Sequence, residues 1–160
     1  MHIVDLQDER NRIPFRLLRL HAEAIGDLPF LLSDDQCYSY GRANAIVNAY
    51  AHGLHRLGLQ AGGQLLLYMH SCVDYVLLTL AANKLGALWV PVNTDYRGEW
   101  LVETINASRS TVLATDTDML EKLTDSKAPK AAKGNELTGD GISVNTSPNR
   151  AARSELSLGV

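Results

Sequence analysis

The polarity pattern changes its period along the chain, and each change marks an element. Pro14 suits a first helical position, and Phe15, Leu18, Ala22 and Ile25 follow three or four residues apart before Gly26. That spacing predicts an amphipathic helix, opened by the proline and closed by the glycine. Leu28–Leu32 and Gln36–Tyr40 flank Ser33-Asp34-Asp35, a polar break that predicts a hairpin. Ser39 is placed to cap a second helix, whose apolar stripe runs through Ala43, Val47, Tyr50, Leu54 and Leu57 until Gly58 stops it.

From residue 65 a rhythm sets in. Leu65–Met69, Leu88–Val92 and Thr111–Ala114 are short apolar or β-branched runs whose starts lie 23 residues apart. Between the first two, Val73, Val76, Leu77, Leu80 and Leu85 read as a helix, with Ser71 and Asp74 in the places of a capping box. Leu101, Val102 and Ile105 mark a helix between the second and third, and Asp116–Leu123 reads as one more. Strands separated by crossover helices must run parallel, because a hairpin cannot return the chain to the same end of the sheet. Runs that are apolar at consecutive positions are what a sheet covered on both faces requires. The expected fold class is α/β, a layered parallel sheet flanked by helices. Leu65–Met69 and Leu88–Val92 should be neighbouring strands joined by a right-handed crossover.

This organisation stops near residue 124. All ten aromatic residues precede it, and of the 36 residues from Asp125 to Val160, 16 are Gly, Pro, Ser, Thr or Asn and only six are Leu, Ile or Val. Such a segment buries too little apolar area to offset about 1–2 kcal/mol of backbone entropy per residue. The expected organisation is a domain over residues 1–124 and a disordered, low-complexity tail over 125–160. Lys127, Lys130 and Lys133 then read as a solvated basic patch on the tail.

Charge and cysteine usage narrow the function classes. The chain carries 15 basic and 18 acidic side chains, net −3, which argues against a nucleic-acid partner. Its longest apolar run, Leu65–Met69, is far short of the roughly 20 residues of a membrane span. Asp5, Asp8 and Glu9 stand where a signal peptide would be basic and then apolar. Cys37 and Cys72 show no CxxC spacing and fit a reducing compartment. The expected location is cytoplasmic.

Four groupings invite a chemical reading. His70-Ser71-Cys72 with Asp74 gathers a base, two nucleophile types and a carboxylate, but neighbours in sequence diverge in space and no GxSxG elbow surrounds Ser71. We read it as a strand end followed by a helix cap. His52 and His55 lie three apart with no third metal ligand nearby, so they read as exposed helix histidines. Gly62-Gly63 precedes a strand, whereas a dinucleotide fingerprint follows one. No GxxxxGK[ST] occurs.

Tyr38-Ser39-Tyr40 before a long helix, Leu57-Gly58-Leu59, Gly62, Leu80-Ala81-Ala82-Asn83-Lys84-Leu85-Gly86-Ala87, Pro91-Val92-Asn93, Arg97 and Glu99 together form a pattern. Over about Arg12–Leu123 it resembles the N-terminal portion of the AMP-forming acyl-CoA synthetases, within the adenylate-forming superfamily. In style it is closest to carnitine-type ligases. Gly63 stands where the family often has Asp or Glu, and Ser71 and Asp74 take the usual Asn and Glu places. Gly86 suits a helix end and Pro91, lacking an N–H, a strand whose ladder is fading. These are scaffold roles.

The resemblance implies an enzyme that uses ATP and Mg²⁺ to turn a small carboxylic acid into an acyl-adenylate, then passes the acyl group to CoA. The Ser/Thr/Gly-rich phosphate loop that ends in Gly-x-Pro-Lys is absent: Pro129-Lys130 follows Ser126-Lys127-Ala128, which lacks the glycines. Thr138-Gly139-Asp140 echoes the family's ribose-binding tripeptide but arrives too early in the chain. The domain bearing the catalytic lysine is absent too. The resemblance therefore assigns no catalytic, cofactor-binding or metal residue here, and the chain alone is expected to be inactive. A truncated, frameshifted or remodelled gene is the simplest account. The alternative is a non-catalytic α/β interaction module, and either reading allows self-association through exposed apolar surface.

Overall fold

The computed structural model describes residues 4–5, 7–33 and 36–125. Apart from Asp125, the expected tail, with Lys127, Lys130, Lys133, the Thr138-Gly139-Asp140 tripeptide and Ile142–Val144, lies outside the described residues. After a 3₁₀ turn at Glu9–Arg12 the chain forms α1 (Pro14–Ile25), with Pro14 in its first turn as the sequence predicts. β1 (Pro29–Ser33) and β2 (Gln36–Ser39) make the antiparallel hairpin, with Leu32 opposite Cys37. The helix that follows, α2 (Tyr40–Arg56), is capped by Ser39, whose hydroxyl accepts the Arg42 N–H at 3.2 Å.

α2 ends by a specific mechanism. Gly58 takes φ +92°, its N–H donates to the His55 carbonyl, and the Leu59 N–H donates back to Leu54 at 3.0 Å. These are the two bonds of a Schellman closure, and the left-handed residue at its centre is best a glycine. The closure tucks Leu59 under the helix, where it is fully buried.

The second half is β3 (Gln64–Tyr68), α3 (Val73–Lys84), β4 (Leu88–Pro91), α4 (Gly98–Ser108), β5 (Val112–Thr115) and α5 (Thr117–Asp125). All three strands are parallel, and Leu65 pairs with Trp89 on one side and Val112 on the other. The order is β4-β3-β5, so the first strand of the rhythm is the central one. One face of the sheet presents Leu65 and Leu67 to Leu18, Val47, Leu54, Leu77 and Ala81 of α1, α2 and α3. The other presents Leu66 and Tyr68, packed with Val92, Leu101, Leu113 and Met119.

Two expectations need correction. The capping box does not form: Cys72 is the N-cap of α3 and makes no side-chain cap bond. The Asp74 carboxylate instead accepts the Tyr50 hydroxyl at 2.7 Å, since the packing of α2 on α3 brings a part-buried phenol that needs an acceptor. Coverage on both faces holds for β3 and β5 but not for β4. β5 is an outer strand too and is buried throughout, so Leu88 (60% exposed) and Trp89 (45%) are bare because neither core cluster reaches the start of β4. There the Leu88 and Val92 N–H groups bond inward to Gly63 and Leu67, so the alternate residue Pro91 faces outward, where its missing N–H breaks no ladder bond.

Candidate functional site at the carboxyl ends of the parallel strands

β3 and β5 are neighbours, yet the helices that leave them cover opposite faces. α3 joins the layer with α1 and α2, whereas α5 contributes Met119 to the other core. The carboxyl ends of two such strands form the switch point at which open α/β sheets place ligands. His70 follows β3, and Asp116 follows β5 and starts α5.

These two residues bridge the switch point. One Asp116 carboxylate oxygen, Oδ2, accepts the His70 main-chain N–H at 2.8 Å and lies 2.7 Å from its Nδ1. The other, Oδ1, accepts the Met119 N–H at 2.9 Å and so caps α5. The residues are 46 apart in sequence, and no local motif announces the pair. A polar residue within two positions of the end of each of two predicted parallel strands was the available signal.

Burial pushes the Asp116 carboxyl up, but the His70 and Met119 N–H groups and the His70 ring outweigh it, leaving it below the ordinary 3.8. A carboxyl lowered by folding adds stability that is complete above its unfolded value and disappears as pH falls through the folded one. We expect the urea midpoint to fall steeply below about pH 4, and Asp116→Asn to give a flatter acid limb over pH 5 to 2.5. An identical limb in the variant would assign the acid sensitivity to other carboxyls.

The other groups named from sequence do not converge. No hydrogen bond joins His70 to Ser71 or Cys72 among the described residues, and Asp74 serves Tyr50. Burial pushes the Cys72 thiol up, the opposite of what activates a sulfur nucleophile. His52 and His55 are exposed on α2, and no group of three metal-ligating side chains gathers among the described residues. Gly62 and Gly63 lie at the amino end of the sheet, where the Gly62 N–H bonds the Gly86 carbonyl.

A family model described as "AMP-binding enzyme" matches residues 18–156. The chain belongs to the AMP-binding enzyme family. The match runs on past residue 124. Among its relatives, 4-coumarate–CoA ligase 3 of Arabidopsis thaliana is 24% identical over 102 residues, which is 62% of this chain and 18% of that protein. A crotonobetaine/carnitine–CoA ligase of Salmonella paratyphi A is 27% identical over 95 residues, 54% of this chain and 18% of that protein. The structure of a Mycobacterium tuberculosis fatty acyl CoA synthetase superposes with a TM-score of 0.75 at 21% identity, covering 96% of this chain and 29% of that one. At that identity it is the fold that is shared. This AMP-binding family chain spans about a fifth of the two relatives' length and under a third of the solved structure's.

Proposed function

We propose that this chain is the amino-terminal portion of an AMP-forming acid–CoA ligase, and that its 160 residues do not activate an acid by themselves. In the complete reaction a carboxylate oxygen attacks the α-phosphorus of ATP, pyrophosphate leaves, and the CoA thiol then takes the acyl group and releases AMP. A small carboxylic acid is the substrate class the family implies, with ATP, Mg²⁺ and CoA as its other requirements.

The observation that supports this reading is the placement of the turns. A phosphate cradle needs backbone N–H groups converging from a glycine-rich turn that follows a strand. Of the four glycines among the described residues that adopt positive φ, Gly58, Gly62 and Gly86 come before β3 and β4, at the amino end of the sheet. The fourth, Gly98, follows β4 and opens α4, but it is a single glycine in Thr94-Asp95-Tyr96-Arg97-Gly98-Glu99 and not a glycine-rich turn. The switch point at the carboxyl end is spanned by His70 and Asp116, a pair whose carboxylate repels phosphate. Isothermal titration of residues 1–160 with Mg-ATP is expected to show no binding at micromolar concentrations. A micromolar Kd would overturn the reading.

A second reading, a non-catalytic interaction module, is favoured by exposed apolar residues on β4 and α4. Trp100 is 71% exposed, against 60% for Leu88 and 45% for Trp89. Isolated exposed leucines are ordinary, but two part-bare tryptophans in one small domain invite a partner. Sedimentation velocity tests self-association: this reading expects it to rise with concentration and to weaken in Trp100→Gln. A monomer at every concentration removes it. The free thiols Cys37 and Cys72 fit a cytoplasmic location under either reading.

A further inference from the structure

We propose that the outer edge of β5 receives a fourth parallel strand, supplied by Ile142–Thr146 of this same chain. The main-chain directions of β5 leave a place for it. The Thr111 N–H bonds to the Gln64 carbonyl of β3, and the pairing then runs from Leu65 with Val112 to Tyr68 with Thr115. Alternate residues of a strand turn their N–H and C=O to opposite sides, so Val112 and Ala114 turn theirs away from β3. No described strand pairs with them there. Each is nevertheless only 1% exposed, so water does not satisfy these groups. Buried main-chain groups in native proteins are paired in over about 90% of cases, which calls for a partner along this edge. The other outer edge is built differently. On β4 the outward residues are Trp89, which is half bare, and Pro91, which has no N–H to give. A proline blunts an edge against pairing, and β5 carries none.

Handedness decides where the chain goes after α5. Crossovers between parallel strands are right-handed, so the face on which a helix lies fixes its direction of travel across the sheet. α3 lies on the face of Leu65 and Leu67 and takes the chain from β3 to β4. α4 lies on the opposite face and takes it back across β3 to β5. α5 packs Met119 and Leu123 on the same face as α4. A parallel strand that follows α5 therefore continues in the direction of α4, beyond β5, and meets its free edge.

The sequence supplies a segment of the right kind. Past the described residues, Ile142, Val144 and Thr146 are β-branched at alternate positions, between Gly141 and Pro148. Residues 116–141, α5 among them, exceed the dozen or so that a parallel connection takes. The family match also runs through this segment, to residue 156. The domain then extends past the boundary that composition predicts near residue 124. Because the strand is parallel, its carboxyl end adds Asn145 and Thr146 to the row of strand ends that holds His70 and Asp116.

NMR of the 160-residue chain tests the proposal. Cross-strand contacts are expected between the amides of Val112–Ala114 and Ile142–Thr146. The Val112 and Ala114 amides should be protected from exchange about a hundredfold or more, as should Leu113, whose N–H points to β3. Successive residues of a strand turn their N–H groups to opposite sides, so either Ser143→Pro or Val144→Pro removes a ladder bond whatever the register. In that variant protection of Val112 and Ala114 should fall about tenfold or more, with Leu113 level, whereas Ala152→Pro should change none of them. Absent cross-strand contacts, or unprotected Val112 and Ala114 in the natural chain, overturn the proposal. So does protection that survives both proline variants, and so does protection that rises with protein concentration, which would give the edge to a second copy.

Discussion

Supplied with Mg-ATP and a panel of short and medium carboxylic acids, residues 1–160 are expected to release pyrophosphate no faster than buffer does. Enzymes of this kind accelerate their reactions by about 10⁶-fold or more, so the predicted deficit against a complete ligase spans at least that range. The physical reason lies in charge. Adenylation gathers negative charge on the triphosphate as the carboxylate approaches, and preorganised donors and cations must neutralise it. Four cations of the described residues are committed elsewhere. Arg10 pairs with Asp8 at 2.9 Å and Arg19 with Glu23 at 3.4 Å. Lys84 donates to Asn48, and Arg97 is held by the Tyr96 carbonyl at 2.6 Å. At the switch point itself, the buried group is an acid, Asp116. Acid-dependent pyrophosphate release above background would reveal a nucleotide site that these placements do not suggest.

Leu66→Ala should cost about 3–5 kcal/mol of stability, the upper part of the range for a buried leucine. Leu66 is fully buried in the central strand, on the face whose buried cluster is completed by Tyr68, Val92, Leu101, Leu113 and Met119. With so few side chains in that layer, and a strand paired on both sides, little can move to close the hole. A domain of this size holds about 5–15 kcal/mol in all, so the variant should be near the edge of folding at 37 °C. Urea unfolding measures it, through a lower midpoint at unchanged slope. Leu32→Ala is the control: at 77% exposed it should shift stability by about 0.5 kcal/mol or less. A cost below about 1 kcal/mol for Leu66→Ala would mean that the α4–α5 face is loosely packed.

Much of the architecture was legible in the chain because it is written in local periods. The stripe from Ala43 to Leu57 could only be one side of a helix, and Gly58 marked its end where the Schellman closure now stands. The 23-residue rhythm located β3, β4 and β5 and required them to be parallel, since each connection is long enough for a crossover helix. The family resemblance was legible for a related reason: a glycine such as Gly86, at φ +70°, stands where backbone geometry accepts few substitutes.

The site was not legible in the same way. Sequence proximity suggested His70 with Ser71, Cys72 and Asp74, but the fold gives His70 to Asp116, 46 residues away, and Asp74 to Tyr50, 24 residues away. Side-chain partners follow from which strand ends and helix faces meet. That depends on strand order, and the rhythm admits more than one order. With β3 in the centre, the ends of β3 and β5 come together over the switch point; β4 and β5 are both outer strands, and Leu88 and Trp89 are left in water because neither core cluster reaches them. The sequence by itself determined the kinds of elements, their succession, the parallel pairing of the strands and the family, because each rests on local period or on residues that backbone geometry demands. Only the tertiary structure decided the β4-β3-β5 order, the His70–Asp116 bridge and the bare margin of the sheet, because those arise from packing between segments that no local pattern couples.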